Sequence, residues 1–585
     1  MKTVVHVTHE ALQKIGGIGT VLEGLCTSET YRGKVGRDIL AGPIFGSDIE
    51  AAEQLARIGE VHYAAATGTD TGDWGQTFGP IQERLGVSII YGRRTFSHPK
   101  PGAESWTEVL LFGIGQMHAD PLNVFKFRLH ESFGIASDIY DAWDYEQYTR
   151  MAVPLYDALE AMGVPGGGDE PVTLLAHEYM GVPSALKIVL EGDRRYRTFF
   201  YAHETATVRR IVEKHPGHDT MFYNTMHKAY LENKFLEDVF GSQRRYFKHP
   251  LVTAACRLDG ALAVGDLVRE ELQWLEPAMR NFPIRLAYNG IPAYRIEPDE
   301  KLASRRRMLD YLSRLIDLRP DLVMSHVTRL TVSKGLWRDL KVLWHIETAL
   351  RDQQRTAVMI FLSTEIGGPK QRRQIDEIAG RYGWPVAHRE GHPDLSEGEA
   401  EFYTSVQRFN AASRQVKILF VNQFGWSPEA CGSAMPEEMS FKDIRQGTDV
   451  EFGQSIYEPF GIAQLEPLAF GGICVPSNIC GCAGFLKRVD GESESPNVVI
   501  ADYTRAPDGL TSTREMLSIG MDERTKVEEV EAERVAGAIL DRLPAGDNDR
   551  ARLLESGYGL AEHMGWDTVA ADYILPALDE ADARE

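Results

Sequence analysis

The sequence predicts an α/β fold of parallel, doubly wound sheets divided between two large domains. Three observations carry this expectation. Short apolar runs alternate with longer helical patterns along the whole chain, the βαβ rhythm of a parallel sheet. The chain has 585 residues, too many for one ordinary core. Finally, Tyr288-Asn289-Gly290-Ile291-Pro292 is a turn-rich break near the middle.

Apolar runs predict strands at 3–8, 87–91, 172–176, 198–202, 261–264, 322–327, 358–362, 416–421 and 473–475. Many end at a polar or glycine residue and run into a helix. Ligands of such sheets sit beyond the carboxyl ends of strands, so the residues just after them are the ones to inspect. Residues 1–290 form the first domain. Residues 197–253 begin as a strand and then turn helical and rich in aromatics and His. The helical part, about 205–250, reads as an insertion on that domain. Residues 291–566 form the second domain, with 425–447, irregular and polar, as a surface excursion. A new helical pattern starts at Met564-Gly565-Trp566-Asp567, with Asp567 as its cap. Residues 567–585 make a C-terminal helix expected to cross back to the first domain.

Composition excludes several classes. Lys and Arg number 63 against 85 Asp and Glu, a formal charge of −22. A surface that negative repels nucleic acid and anionic membranes, so an anionic ligand needs a local basic cluster. The six cysteines form no C-x-x-C pair, a reduced, cytoplasmic pattern. Neither a signal peptide nor a spanning run is expected.

Five segments could carry chemistry. Lys14-Ile15-Gly16-Gly17-Ile18-Gly19-Thr20-Val21 follows the first strand and opens a helix. Its glycines let a backbone approach a phosphate, although a plain helix-entry turn has the same look. It matches neither the Walker A pattern nor the dinucleotide spacing. Three His-Glu pairs, His9-Glu10, His177-Glu178 and His203-Glu204, each follow an apolar strand. None extends to H-E-x-x-H, and strand-end polar residues often just bind loops. His203, after Phe199-Phe200-Tyr201-Ala202, is the best placed. Arg329 and Lys334 lie five apart across a turn after a strand and can converge on a diphosphate, or simply be solvated.

The fourth segment is Tyr457-Glu458-Pro459-Phe460-Gly461-Ile462-Ala463-Gln464-Leu465-Glu466. A glycine turn entering a helix exposes unpaired N–H groups that attract anions. Glu458 and Glu466 flank it. Eight helical residues span roughly 12 Å. Glycosidase pairs need about 5 to 9.5 Å, so the spacing suits two contacts on one long ligand. The fifth, Pro476-Ser477-Asn478-Ile479-Cys480-Gly481-Cys482-Ala483-Gly484-Phe485, is built of small residues. It leaves room for backbone N–H groups to bind a ligand, or is a tight strand-to-helix link.

These pieces, in this order, resemble the glycogen and starch synthase family of retaining glycosyltransferases. The matching elements are Lys14-Ile15-Gly16-Gly17-Ile18, His203, Asn289-Gly290, Arg329 with Lys334, and the pair Glu458/Glu466. Lys14-Ile15-Gly16-Gly17-Ile18-Gly19-Thr20-Val21, Phe222-Tyr223-Asn224 in the helical insertion and Tyr457-Glu458-Pro459-Phe460-Gly461 look closer to the animal and fungal branch. The resemblance implies a GT-B fold, two Rossmann-like doubly wound domains facing a cleft. It implies glucose transfer from UDP-glucose or ADP-glucose to the 4-hydroxyl of an α-1,4-glucan end, with retention.

By the same resemblance, Lys14 and the Gly16-Gly17 backbone contact the donor phosphates or sugar. Arg329 and Lys334 neutralise the diphosphate. Glu458 binds sugar hydroxyls beside the Gly461 and Ile462 N–H groups, and Glu466 holds the ribose. His203 lies beside the sugar and helps stabilise positive charge at the anomeric carbon. No metal or other cofactor is expected, because Arg and Lys supply the positive charge. Expected partners are a nucleotide sugar and an α-glucan, with neither nucleic acid nor membrane. Aromatic surface at 209–247 also offers a face for a homo-oligomer.

Two departures stand out. Gly19 replaces a Tyr common in the animal and fungal branch. That branch also carries an arginine-rich helix that reads glucose 6-phosphate. Here the basic residues of 522–542, Arg524, Lys526, Arg534 and Arg542, are scattered among acids, so strong activation is not expected. Two other readings stay open: a transferase of the same fold using a small sugar or sugar-phosphate acceptor, and a non-catalytic glucan-binding protein.

Overall fold

The computed structural model describes residues 1–97, 104–166, 171–365, 395–432, 434–491 and 495–582. The chain divides into two compact units. The first comprises Met1–Arg210, Ala229–Gly290 and Trp566–Glu585, and the second Ile211–Lys228 and Ile291–Gly565.

The first unit is built on one mixed sheet. Its strands are β1 (Lys2–Val7), β2 (Val35–Pro43), β3 (Gly59–Ala64), β4 (Thr69–Asp70) and β5 (Ser88–Ser97). They continue with β6 (Glu104–Gly113), β7 (Val172–His177), β8 (Tyr196–Ala202), β9 (Gly260–Ala263) and β10 (Ile284–Leu286). The order is β10-β9-β8-β7-β1-β2-β6-β5-β3-β4. From β10 to β6 neighbours run parallel. The β6-β5-β3-β4 edge is antiparallel, which the parallel expectation missed. Only residues 98–103 separate β5 from β6, too few for a crossover. Every residue of β7 is buried, as a strand covered on both faces requires. The chain leaves β1 toward β2 on one side and adds β7 on the other. The carboxyl ends of β1 and β7 are therefore this sheet's topological switch point.

The second unit has a parallel sheet of β11 (Leu322–Arg329), β12 (Ala357–Thr364), β13 (Val416–Val421), β14 (Val450–Gly453) and β15 (Ile473–Pro476). Its order is β13-β12-β11-β14-β15. The winding reverses between β11 and β14, so their carboxyl ends form the second switch point. Val342, Leu343, Ile346 and Leu350 of the helix Leu336–Gln353 pack on one face of this sheet with Val535, Ala536 and Ile539. Met308, Tyr311 and Leu312 cover the other.

Three expectations are corrected. The helical insertion does not belong wholly to the first domain, because 211–228 is part of the second unit. Buried polar contacts hold it there. Asp219 pairs with Arg338 at 2.6 Å, and Thr220 Oγ1 donates to the Tyr503 carbonyl at 2.8 Å. Nor is 425–447 a surface excursion. Trp426, Cys431, Met435, Met439 and Ile444 are buried against Tyr311 and the β11–β13 side chains, an apolar payload that a polar average conceals. Asp567 lies inside the first turn of the helix Trp566–Val569 rather than ahead of it. Its carboxylate instead accepts from Ser28 Oγ at 2.6 Å and from the Thr30 N–H at 3.0 Å.

The C-terminal segment is part of the first unit through Trp566. A Cβ on Gly24 would lie 2.1 Å from the Trp566 ring, and one on Gly290 2.6 Å from it, so both glycines are there to admit the indole. Among the described residues no helix is long and apolar enough to cross a membrane.

Candidate active site

On the first unit, the loop after β1 carries Glu10, Lys14, Gly16 and Gly17. Arg94 anchors it, donating to the carbonyls of Glu10 and Ala11 at 3.2 Å each. Two of the glycine-loop N–H groups are already engaged. Glu10 Oε2 accepts from Ile15 N–H at 2.6 Å and from Gly16 N–H at 2.7 Å, filling the cradle the sequence offered to a phosphate. Lys14 Nζ pairs with Glu23 at 2.9 Å, half exposed. Gly17 begins the helix Gly17–Thr27, with open space where a Cβ would be. At Gly19 a Cβ would lie 2.5 Å from Glu10 Oε2 and 2.9 Å from Lys14 Cα. There is no room for a Tyr there, which accounts for the departure from the animal and fungal pattern.

Beside this loop, three imidazoles form a chain. His6 Nδ1 lies 2.9 Å from His177 Nε2, and His177 Nδ1 lies 2.8 Å from His203 Nε2. At the far end His6 Nε2 meets Tyr31 Oη at 3.0 Å and Asp38 Oδ1 at 3.1 Å. His203, at the end of β8, stacks on Tyr201 with ring centroids 4.4 Å apart. Burial pushes the His177 pKa well below the ordinary value and that of His203 down to about 3, with the neighbouring imidazoles adding to the effect. Both rings are therefore neutral at physiological pH. Sequence reasoning singled out His203 but took His177 as a loop-binding residue and passed over His6. The missed signal was a histidine within each of two apolar runs that pair in one sheet.

Glu178 follows directly. It is a buried, non-glycine residue at φ 59°, a left-handed conformation that costs energy. Its Oε1 accepts from the Glu204 N–H at 2.6 Å. Burial, and then Glu204, push its pKa well above the carboxylate range.

On the second unit, Lys334 and Glu458 are brought together. The turn after β11 presents Lys334, the loop after β14 presents Glu458, and Lys334 Nζ donates to Glu458 Oε2. Both side chains are mostly buried at the switch point, whereas Arg329 ends β11 exposed. Gly461 adopts φ 93°, which a side chain would resist, and a Cβ there would meet Gln464 Oε1 at 2.6 Å. The run after it is not one helix. Ile462–Leu465 is a single α-helical turn, and Glu466–Phe470 is a 3-10 segment with Pro467 near its start. Glu466 lies at that junction with its carboxylate 3.7 Å from Arg445.

The small-residue segment after β15 supports this loop rather than a ligand. The Gly481 N–H donates to the Glu458 carbonyl at 3.3 Å, and the Cys482 N–H to the Phe460 carbonyl at 2.9 Å. Buried Arg338 lies beneath, and sequence reasoning missed it. It donates to both Asp219 oxygens and to Glu528 and lies over the Tyr503 ring at 3.9 Å. Burial opposes its charge, yet Asp219 and Glu528 hold its pKa above the ordinary arginine value.

No protein-family profile matches the chain, and no curated protein matches it in sequence. Solved structures do. The chain is similar to the catalytic domain of starch synthase IV from Arabidopsis thaliana, bound to ADP and acarbose, with a TM-score of 0.51 and 12% identity over 100% of both chains. It is also similar to a UDP-forming trehalose-phosphate synthase from Burkholderia xenovorans, with a TM-score of 0.49 and 12% identity over 99% of each chain. The starch synthase match shows the fold: two Rossmann-like α/β domains of the GT-B type.

Proposed function

We propose that the protein is a retaining glucosyltransferase. It moves glucose from UDP-glucose or ADP-glucose to the 4-hydroxyl of an α-1,4-glucan end and is closest to the animal and fungal glycogen synthases. One observation supports this most: the Lys334–Glu458 ion pair at the second switch point, with Arg329 exposed at the end of β11. A cation and a carboxylate already in contact are what a nucleotide sugar needs, the cation for its diphosphate and the carboxylate for its hydroxyls. As the sugar–phosphate bond breaks, negative charge grows on the departing oxygens. Lys334 and Arg329 are the residues assigned to it, acting as preorganised counter-charges. Glu466 is assigned to the ribose and His203 to the sugar. Of the glycine loop, Gly17 fits a donor contact better than Lys14 or Gly16, whose polar groups are engaged by Glu23 and Glu10.

The test is incubation with radiolabelled UDP-glucose or ADP-glucose, separately, with glycogen or with glucose, maltose and glucose 6-phosphate. Label should enter glycogen from one donor. Label confined to a small sugar or sugar phosphate would replace the glucan acceptor. Binding to glycogen without transfer from either donor would sink the enzyme reading.

A further inference from the structure

The three-histidine chain on the first unit has a direction. A neutral imidazole carries one N–H, and a hydrogen bond between two ring nitrogens uses one hydrogen. Two such bonds in series lock the tautomers of His6, His177 and His203 together, leaving two arrangements of opposite polarity. In one, His203 Nδ1 is a bare acceptor. In the other it carries hydrogen.

Asp38 chooses between them. Its Oδ1 lies 3.1 Å from His6 Nε2, off the line of a hydrogen bond, so it acts as a nearby charge. A lone pair on Nε2 that close to a carboxylate is repelled, whereas an N–H is attracted. His6 therefore carries its hydrogen on Nε2, and Tyr31 Oη at 3.0 Å accommodates this as an acceptor. His6 Nδ1 then accepts from His177 Nε2–H, and His177 Nδ1 accepts from His203 Nε2–H. The second nitrogen of His203, Nδ1, is left bare.

We propose that Asp38 and His6, through His177, are positioning residues that fix the His203 tautomer with Nδ1 as an acceptor for a sugar hydroxyl. This rests on the reading of His203 as a ligand-facing group. Burial keeps His177 and His203 neutral near pH 7, and with a neutral His6 the polarity is set by Asp38. The groups facing the chain are Tyr31, Asp38, Tyr201 and His9. Tyr31 meets His6 Nε2 alongside Asp38, Tyr201 stacks on the two rings nearest β8, and the charge of His9 acts on both.

Histidine-selective 15N labelling of the full chain reads the tautomer directly, with the His203 signals assigned by their loss in His203→Asn. The wild type should show an unprotonated Nδ1 and a protonated Nε2 on His203. Asp38→Asn should shift Nδ1 toward the protonated form and lower kcat at least ~10-fold, as loss of a tautomer-fixing partner does elsewhere. KM for the donor should move less than about two-fold. Asp38→Glu should restore both the spectrum and the rate. If Asp38→Asn does not fold, the wild-type spectrum still decides. A protonated Nδ1 in the wild type, or an Asp38→Asn enzyme with unchanged spectrum and rate, overturns the proposal. A wild type that transfers no sugar overturns the functional reading instead and leaves the tautomer to the spectrum.

Discussion

Lys334 Nζ and the Glu458 carboxylate are ion-paired at the carboxyl ends of β11 and β14, the two strands between which the second sheet reverses its winding. Each holds the charge that the other's proposed ligand group would replace. In the proposed complex a bound diphosphate would take Lys334, and sugar hydroxyls would take Glu458. The pair keeps both side chains in place without a ligand, so little ordering is left to do on binding. Gly481 and Cys482 brace the same loop from behind through the Glu458 and Phe460 carbonyls.

Glu458→Gln keeps the shape and removes the charge. Transfer should fall by ~10²–10³, the cost of losing one preorganised electrostatic contact. The melting temperature should stay within a few degrees of the wild type, because Gln keeps the side chain's shape and its amide oxygen can still accept from Lys334. Wild-type turnover by Glu458→Gln would remove Glu458 from the mechanism.

The buried Arg338 cluster makes a different claim, about folding. Arg338 and Asp219 are both fully buried, and Asp219 comes from the segment 211–228. Asp219→Ala leaves the guanidinium without its bidentate partner and should cost about 3–5 kcal/mol in urea unfolding. The triple variant Asp219→Leu, Arg338→Met and Glu528→Gln should recover much of that loss, since none of the three buried charges remains. A single variant within about 0.5 kcal/mol of wild type would show that the pair carries no stability.

Most of the fold was legible because periodicity reports burial. All nine predicted strands are present, from β1 to β15. The strands overlooked are β2, β3, β4, β6, β10 and β14, and two of them show how a mixed or short sequence hides a strand. β2 contains Gly36, Arg37, Asp38 and Gly42, and β14 is only four residues long with a buried Glu451. Glu451 is tolerated because Arg445 lies 2.6 Å away, a contact no local pattern announces. The site was legible in the same uneven way. Lys334 and Glu458 stand just after strands and were found, while His6, Asp38 and Arg338 lie inside elements and matter only through partners distant in sequence. The glycine loop misled because Glu10, which occupies its N–H groups, lies in the same stretch and looked like half of a His-Glu pair.

Glucose 6-phosphate should change the transfer rate less than about two-fold. A phosphate needs several free cations converging on one place. On the helix Met521–Leu540 both arginines are already engaged. Arg524 donates to the Pro216 carbonyl at 2.6 Å, and Arg534 meets Glu531 and the Ile500 carbonyl, the latter at 2.7 Å. Just beyond the helix, Arg542 donates to the Ala538 carbonyl at 3.0 Å. Rates measured with and without the metabolite at sub-saturating donor decide the matter, and a several-fold rise would refute it.

Acid should destabilise the fold in two separable stages. His203 has an ordinary pKa near 6.5 when unfolded and about 3 when folded. Between those values the unfolded state binds a proton that the folded state refuses, so stability falls as pH drops below 6.5. His177 and His218, the latter lowered to about 4 by burial, act in the same direction. Glu178, held up by burial, opposes them. Asp449 and Glu528 are buried, yet Arg305 and Arg338 respectively hold them below the usual carboxylate range. Their contribution is complete above about pH 4.5 and is lost only as pH falls further, through their folded values. Urea midpoints at pH 7.5, 6.5, 5.5 and 4.5 isolate the histidine stage. Acidification across that range should lower the wild-type midpoint more than that of His203→Asn, which has no imidazole to protonate. Parallel curves for the two proteins would mean that His203 is not held neutral in the fold.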